Sequence, residues 1–468
     1  MLSTTQTALL SLSPLDGRYS KKLSSLSVLF SDFALTKNRV LVEIEYVLFL
    51  AQKKLIPRFT SAQIKRLKLM VENFSVEDAE AVLLIEKETQ HDVKAVEYFV
   101  RRHFKKHRVP NEEYVHLALT SEDTNALAYG LMLKQALQEV LIPELLLILQ
   151  AVADFSQKNK AVPMLARTHG QMAIPTTVGK EIAVFSQRLL SEVEYLITVE
   201  VEGKMTGAVG NLSAHTLAFI DESPLQLSSE FVESLGLKPN LVTTQILPPE
   251  NYTRIFSSLV RINGIMLDLS QDCWRYISDG YFGQEVDHGQ VGSSTMPQKI
   301  NPIDFENCEG NLGLANSLFN HFIQKLPVSR LQRDLSDSTV KRSFGSALGY
   351  CLLAYQSLQK GLAKVEVRQE RLLSELLEHW EVLAEAYQIV LRRNNVSDGF
   401  EQLKALTQGK QLTELDARAW VGDVFADRKV KQELASLTPL NYLGVAVEIT
   451  EDVTRRIAVF LKGQHERA

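Results

Sequence analysis

Five stretches of this 468-residue chain gather hydroxyl, imidazole, cationic and glycine residues without helical periodicity. The longest, Gly280 to Pro302, reads GYFGQEVDHGQVGSSTMPQKINP; Gly280, Gly283, Gly289 and Gly292 precede or flank an adjacent Ser293-Ser294 pair, followed by Lys299 and Asn301. Glycines, hydroxyls and a lysine on one mobile loop can cradle an anion, although P-loop spacing is absent and a plain linker has the same composition. Arg167-Thr168-His169-Gly170-Gln171 reads as a polar turn between two helices, where a histidine either exchanges a proton near neutral pH or is structural. In Thr89-Gln90-His91-Asp92, Asp92 can orient the His91 imidazole or cap a helix. In Thr120-Ser121-Glu122-Asp123, a hydroxyl pair precedes an acidic first turn, and N-capping accounts for it unaided. Arg330 to Arg342, RLQRDLSDSTVKR, offers Arg333, Ser338 and Arg342 to a carboxylate or phosphate, or forms a salt-bridged surface face.

The elements that must position these segments are long helices. Ile255, Leu259, Ile262, Met266, Leu269, Cys273 and Tyr276 alternate spacings of four and three, a period that presents one apolar face to left-handed bundle neighbours. Val178, Ile182, Phe185, Leu189, Val193 and Leu196 form a second stripe, with Pro175 expected near the helix start. A third runs through Leu133, Leu137, Leu141, Leu145, Ile148, Val152 and Phe155, with a kink expected at Pro143. With Phe305 to Lys325 and Ser343 to Lys364, they predict an all-α chain: an N-terminal helical domain at 1–111, a central five-helix bundle at 112–364 carrying the mobile loop 280–302, and a C-terminal helical domain at 365–468. Strands are expected to be few.

Composition narrows the function classes. The 51 basic and 56 acidic residues give a net charge of -5, which argues against a general nucleic-acid or anionic-membrane binder. The basic run Arg101 to Arg108 reads as a solvated face ahead of the boundary at Val109-Pro110-Asn111. Cys273, Cys308 and Cys351 are far apart and lack a C-x-x-C pattern, so neither a disulfide framework nor a zinc site is implied. No basic residue precedes Arg18, and the greasiest stretch, Leu141 to Phe155, is interrupted by Glu144, Gln150 and Asp154; a reduced cytoplasmic protein is expected.

One resemblance accounts for all five stretches in their order. SSTMPQKINP at Ser293 to Pro302 resembles the GSSxMPxKxNP signature of the fumarase/aspartase superfamily. SPLDGRYS at Ser13 to Ser20, HDVKAVEYF at His91 to Phe99, TSEDTN at Thr120 to Asn125, RTHGQ at Arg167 to Gln171 and SRLQRDLSDSTVKR at Ser329 to Arg342 resemble its adenylosuccinate lyase family, in the longer bacterial form. The likeness runs from about residue 13 to beyond 450. Gln90 stands where Asn often precedes the His-Asp pair, and Gln298 where His is common; both keep a hydrogen-bonding side chain.

The resemblance implies an anti elimination of fumarate from adenylosuccinate, giving AMP, and from the succinyl-aminoimidazole carboxamide ribotide SAICAR, giving AICAR, in purine biosynthesis. It assigns the base to Ser293 and the acid to His169, with His91 orienting substrate. It assigns the succinyl carboxylates to Thr120, Ser121, Gln245, Ser294, Lys299 and Asn301, and the phosphate and ribose to Arg18, Tyr19, Arg333, Ser338 and Arg342. Gln90, Asp92, Thr168 and Thr339, within the same motifs, and Asn307, just after the loop, are implied as further substrate-binding residues. No metal and no cofactor are implied. Segments spread along bundle helices are hard to gather in one subunit, and the resemblance implies a homotetramer with shared sites and a common bundle core. Argininosuccinate lyase is the near alternative, disfavoured by the Arg18-Tyr19 and Arg333 to Arg342 segments. A structural protein is the distant one, since this fold has been reused as a lens crystallin.

Overall fold

A computed structural model describes residues 4–285, 295–296, 298–425 and 427–466. The fold is mostly α, and the described strands form three two-stranded pairs. The chain divides into two compact units: Met1–Glu144, Val193–Asn263 and Asn311–Leu353 make the first, and Leu145–Glu192, Gly264–Gly310 and Ala354–Ala468 the second.

In the first unit, helix Asp32–Gln52 starts at Ser31, whose hydroxyl accepts from the Ala34 amide at 3.2 Å, an N-cap that satisfies one orphan donor. Val40, Ile44, Val47 and Leu50 are fully buried along it, and it packs on helices Asp92–Lys106 and Ser121–Gln135. An aromatic core joins three further helices: Phe256 stacks on Phe319 at 5.2 Å between ring centroids, and Phe344 meets Phe256 edge-on at 4.8 Å and Phe322 at 5.0 Å. Offset and edge-on pairs of this kind add to the area they bury.

The three apolar stripes are core. Ile255, Leu259, Ile262, Met266 and Leu269 are completely buried and Cys273 nearly so, with Tyr276 half-buried at the end. All six residues of the Val178 stripe are buried, but Pro175 does not open that helix. It lies in strand Gln171–Thr177 opposite Leu165, where the missing N–H is tolerated on a two-stranded edge. The helix begins at Val178, and the Thr177 hydroxyl accepts from the Lys180 amide at 3.1 Å in the N-cap role. Helix Ser121–Lys158 runs on through Pro143, with a π-helical turn over Ala136–Leu141 that ends two residues before the proline. Proline cannot donate to the preceding turn and its ring crowds the carbonyl four residues back; a wider turn relieves both. By length and apolarity this helix could cross a membrane, yet Leu133, Leu141, Ile148, Leu149 and Val152 are buried inside the protein and its first turn carries the buried Glu122 and Asp123.

The second unit holds the feature that helical periodicity could not announce. Strands Pro163–Thr168 and Gln171–Thr177 form an antiparallel hairpin that packs on helix Gln369–Glu378. Gly179 lets the following helix start against the end of the preceding one, since a Cβ there would sit 2.4 Å from the Lys160 Cα. A second pair joins Phe282–Gln284 to Val365–Val367, so the stretch at 280–302, expected to be a mobile loop, opens with a paired strand. The C-terminal helices close over a core of Trp380, Tyr387, Leu391, Leu403, Leu412, Val421 and Leu434.

Candidate active site

In the second unit, the pairing of Thr168 with Gln171 leaves His169 and Gly170 as a two-residue hairpin tip, with φ of 53° and 74°. Two positive φ values are the mark of a type I′ turn, whose twist matches that of the strands. Glycine takes the second position freely, and histidine tolerates the first better than most residues do. The stretch expected to be a turn between helices is therefore the tip of a β-hairpin. Thr168 and His169 are exposed there, and among the described residues no group hydrogen-bonds the His169 ring.

Behind the tip, Arg167 donates to Glu375 at 2.6 Å and to the Tyr281 hydroxyl at 3.1 Å, while Tyr281 donates to the other Glu375 oxygen. Burial, and then the hydrogen bond to Glu375, raise the Tyr281 phenol above its ordinary pKa, which keeps it a donor.

Of the signature segment in the same unit, Ser293 and Ser294 lie outside the described residues, as does much of the loop expected to be mobile. Lys299 is exposed and its backbone N–H donates to the Met296 carbonyl at 3.1 Å. Asn301 is half-buried, and Asn307 is exposed on the second turn of helix Ile303–Lys325. The helix start is fixed by Asp304, which pairs with Lys364 at 2.9 Å and Lys360 at 3.5 Å.

In the first unit, Gln90 ends helix Val76–Thr89 in the left-handed conformation and donates from Nε2 to the Lys87 carbonyl at 2.8 Å. His91 then caps the next helix itself: Nδ1 accepts from the Lys94 amide at 3.3 Å. That use of Nδ1 puts the proton of a neutral ring on Nε2, which lies 3.5 Å from the Ser121 hydroxyl. The orienting and capping roles considered for Asp92 thus divide differently. Asp92 accepts from Arg39 at 2.6 Å and from the Val93 amide at 2.8 Å, and Arg39 also donates to Asn125 at 2.8 Å. Burial alone would raise the Asp92 carboxyl, but the Arg39 guanidinium and these hydrogen bonds hold it below the usual carboxylate range.

Thr120 is the N-cap of helix Ser121–Gln135, and its backbone N–H donates to Asp123 at 2.9 Å. Asp123 is completely buried; its other oxygen takes Lys204 at 2.8 Å, the Thr206 amide at 3.0 Å and the Gly207 amide at 3.2 Å. The neighbouring Glu122 accepts from Lys341 at 2.8 Å, and Lys341 is also 2.8 Å from Asp337. Burial works against the Lys341 ammonium, but the two carboxylates outweigh it and hold the pKa above the ordinary lysine value. The second Glu122 oxygen lies 3.1 Å from Arg333, whose guanidinium also donates to Gln245 at 3.1 Å and keeps a buried Nε–H without a partner. Gln245, Arg333, Ala208 and Val209 line one cleft of about 460 Å³.

Arg342, 3.4 Å from Asp32, lines a second cleft of about 500 Å³ with Asp16, Ser20 and Ser31. The turn carrying Arg18 and Tyr19 borders it, although those two side chains do not line it; the Arg18 guanidinium sits 6.0 Å from the Tyr19 ring centre. Ser338 is half-buried and Thr339 exposed on helix Ser336–Lys341. The first unit thus gathers His91 with Ser121, Gln245 with Arg333, and Arg342 with the turn at Ser13 to Ser20, while the second carries His169 and Lys299. Sequence reasoning passed over Arg39, Asn125, Glu122 and Lys341, and over Tyr281 and Glu375. Glu122 and Lys341 stand inside motifs that were noticed, but nothing in a local pattern separates a buried charge from a solvated one.

A family profile described as lyase matches residues 17–315, and one described as adenylosuccinate lyase C-terminal matches 329–443. The chain is 46% identical over 456 residues to adenylosuccinate lyase of Haemophilus influenzae, covering 95% of this chain and 99% of that one. It is 43% identical over 453 residues to adenylosuccinate lyase of Escherichia coli K12, with the same coverage. Among solved structures, it is similar to 3-carboxy-cis,cis-muconate lactonizing enzyme from Pseudomonas putida, with a TM-score of 0.74, 20% identity, and 93% and 97% of the two chains covered. It is also similar to fumarate lyase from Mesorhizobium sp. BNC1, with a TM-score of 0.73, 16% identity, and 92% and 97% covered. At those identities the likeness concerns the fold alone.

Proposed function

The chain belongs to the adenylosuccinate lyases, carbon–nitrogen lyases of the fumarase/aspartase superfamily that act in purine biosynthesis, and from that membership we propose how its own residues carry the elimination. A base removes a proton from the succinyl carbon beside a carboxylate, and the charge collects on that carboxylate as a dianion. The C–N bond then breaks, its electron pair stays on the leaving nitrogen, and an acid protonates that nitrogen. Adenylosuccinate gives AMP and fumarate; SAICAR gives AICAR and fumarate by the same steps.

His169 is the acid and Ser293 the base. What supports His169 is its station on a short hydrogen-bonded tip, with a ring that is exposed and unpartnered among the described residues, and an imidazole can both take up and give a proton. A serine becomes a base only where cations and backbone N–H groups stabilise its ionised form, and Lys299, five residues on from Ser294, is the cation of that motif. Thr120, Ser121, Gln245, Ser294, Lys299 and Asn301 hold the carboxylates. Arg18, Tyr19, Arg333, Ser338 and Arg342 hold phosphate and ribose; the free Nε–H of Arg333 supports its share. His91 directs its Nε2 towards Ser121 and substrate. Protein groups alone supply every step.

The segments that supply the site are spread along bundle helices, and a homotetramer whose sites draw on several subunits would gather them. Three buried cysteines that form no disulfide suit a cytoplasmic enzyme. The test is to supply adenylosuccinate, argininosuccinate and aspartate separately and follow fumarate; adenylosuccinate alone should release it, and equal release from argininosuccinate would overturn the reading.

A further inference from the structure

Within the second unit, three side chains that the elimination does not use converge behind the acid. Tyr281 is 2% exposed, and Glu375 is also buried. Their mutual position is fixed by more than the side-chain bond, because the Arg368 amide at the start of the Glu375 helix donates to the Tyr281 carbonyl at 2.8 Å. Arg167 reaches into this pair from the hairpin, two residues before His169.

The hairpin itself has few other holds near its tip. Leu165 is locked in an apolar cluster with Leu376 and Val382, but a register irregularity follows it, and residues 167–172 are exposed. An exposed tip keeps its backbone pairing yet can swing as a body about its last buried anchor. A misplacement of about 1 Å can cost a reacting group roughly a hundredfold in rate.

We infer that Tyr281 and Glu375 are positioning residues for the elimination: they clamp Arg167 and thereby hold the His169 tip at the angle from which the leaving nitrogen is protonated. This inference rests on His169 being the acid. The chain of donors is complete, Arg167 to Tyr281 and Arg167 and Tyr281 to Glu375, so removing one hydroxyl loosens the guanidinium without leaving a new buried charge. Tyr281 also leads directly into strand Phe282–Gln284, so its ring has packing reasons of its own to stay when the hydroxyl is removed.

The experiment is a double-mutant cycle on the intact enzyme with adenylosuccinate, using Tyr281→Phe and Glu375→Gln, each alone and combined with His169→Ala. Each single variant should lower kcat about tenfold or more with KM changed less than about twofold, since positioning acts on the reacting step and not on ground-state binding. In the His169→Ala background neither should cost anything further. If both lower kcat by the same factor with and without His169, they act elsewhere and the inference is overturned while the role of His169 stands. If Tyr281→Phe leaves kcat unchanged, the clamp does not position the tip. If His169→Ala itself keeps near-native kcat, the reading of the acid fails and this inference with it. Tyr281→Phe retains the buried ring and carries the test should Glu375→Gln fail to fold.

Discussion

Arg333 and Glu122, 211 residues apart in the chain, meet at 3.1 Å in a buried ion pair. Glu122 also holds Lys341, which Asp337 shares, so one carboxylate bridges two cations and sets the guanidinium beside Gln245 with its Nε–H unspent. An arginine prepared in this way meets a phosphate without first losing side-chain freedom. Glu122→Gln should therefore raise KM for adenylosuccinate and lower Tm together. Steady-state kinetics and a thermal melt check both, and an unchanged KM would detach Glu122 from the phosphate.

Lys341 is buried between Glu122 and Asp337, and removing one partner of such a cluster leaves uncompensated carboxylates. Lys341→Met should destabilise the fold by about 3–5 kcal/mol. Urea unfolding followed by circular dichroism measures this, and a loss under about 1 kcal/mol would mean that water reaches the cluster.

Arg333→Leu should chiefly weaken phosphate-bearing substrates, because a charge-assisted contact worth about 1.5–3 kcal/mol is lost, roughly tenfold to a hundredfold in affinity. Unchanged KM and kcat would remove Arg333 from the site.

Asp92 gives a pH signature. Its folded pKa lies below the ordinary value, so its contribution to stability is present above the unfolded pKa of about 4 and is lost as pH falls through the folded value. The stability difference between the native enzyme and Asp92→Asn should thus be largest near neutrality and shrink on acidification. A difference that stays constant down the acid limb would show that the Arg39 contact does not depend on the charge of Asp92.

Much of this was legible in the chain because the relevant signals are periodic or local. Ile255 to Cys273 repeats at bundle spacing, and a buried face follows from that spacing alone. Thr120 with Asp123 is a capping pattern four residues long. The hairpin at Pro163 to Thr177 escaped because its strands lack a clean apolar–polar alternation and its tip, His169-Gly170, is a weaker turn signal than Asn-Gly. Pro175 misled for a related reason: one proline suits the first turn of a helix and the edge of a strand equally well. Arg39, Glu122, Lys341 and Glu375 escaped because their importance lies in partners far along the chain, and a single sequence carries no record of such pairings.

Shared sites make the sharpest prediction. If His169 and Ser293 of one site come from different subunits, each of two inactive variants still supplies what the other lacks. His169→Ala and Ser293→Ala proteins, mixed in equal amounts, dissociated and reassembled, form tetramers in which each position is filled at random. A site then has about one chance in two of receiving an intact His169, and independently about one in two of receiving an intact Ser293, so about one site in four should work. Activity should rise from near zero towards a quarter of the native value only after subunit exchange, and simple mixing without dissociation should leave it low. Mass spectrometry under native conditions confirms that mixed tetramers have formed. If they have and no activity returns, His169 and Ser293 of each site belong to one chain.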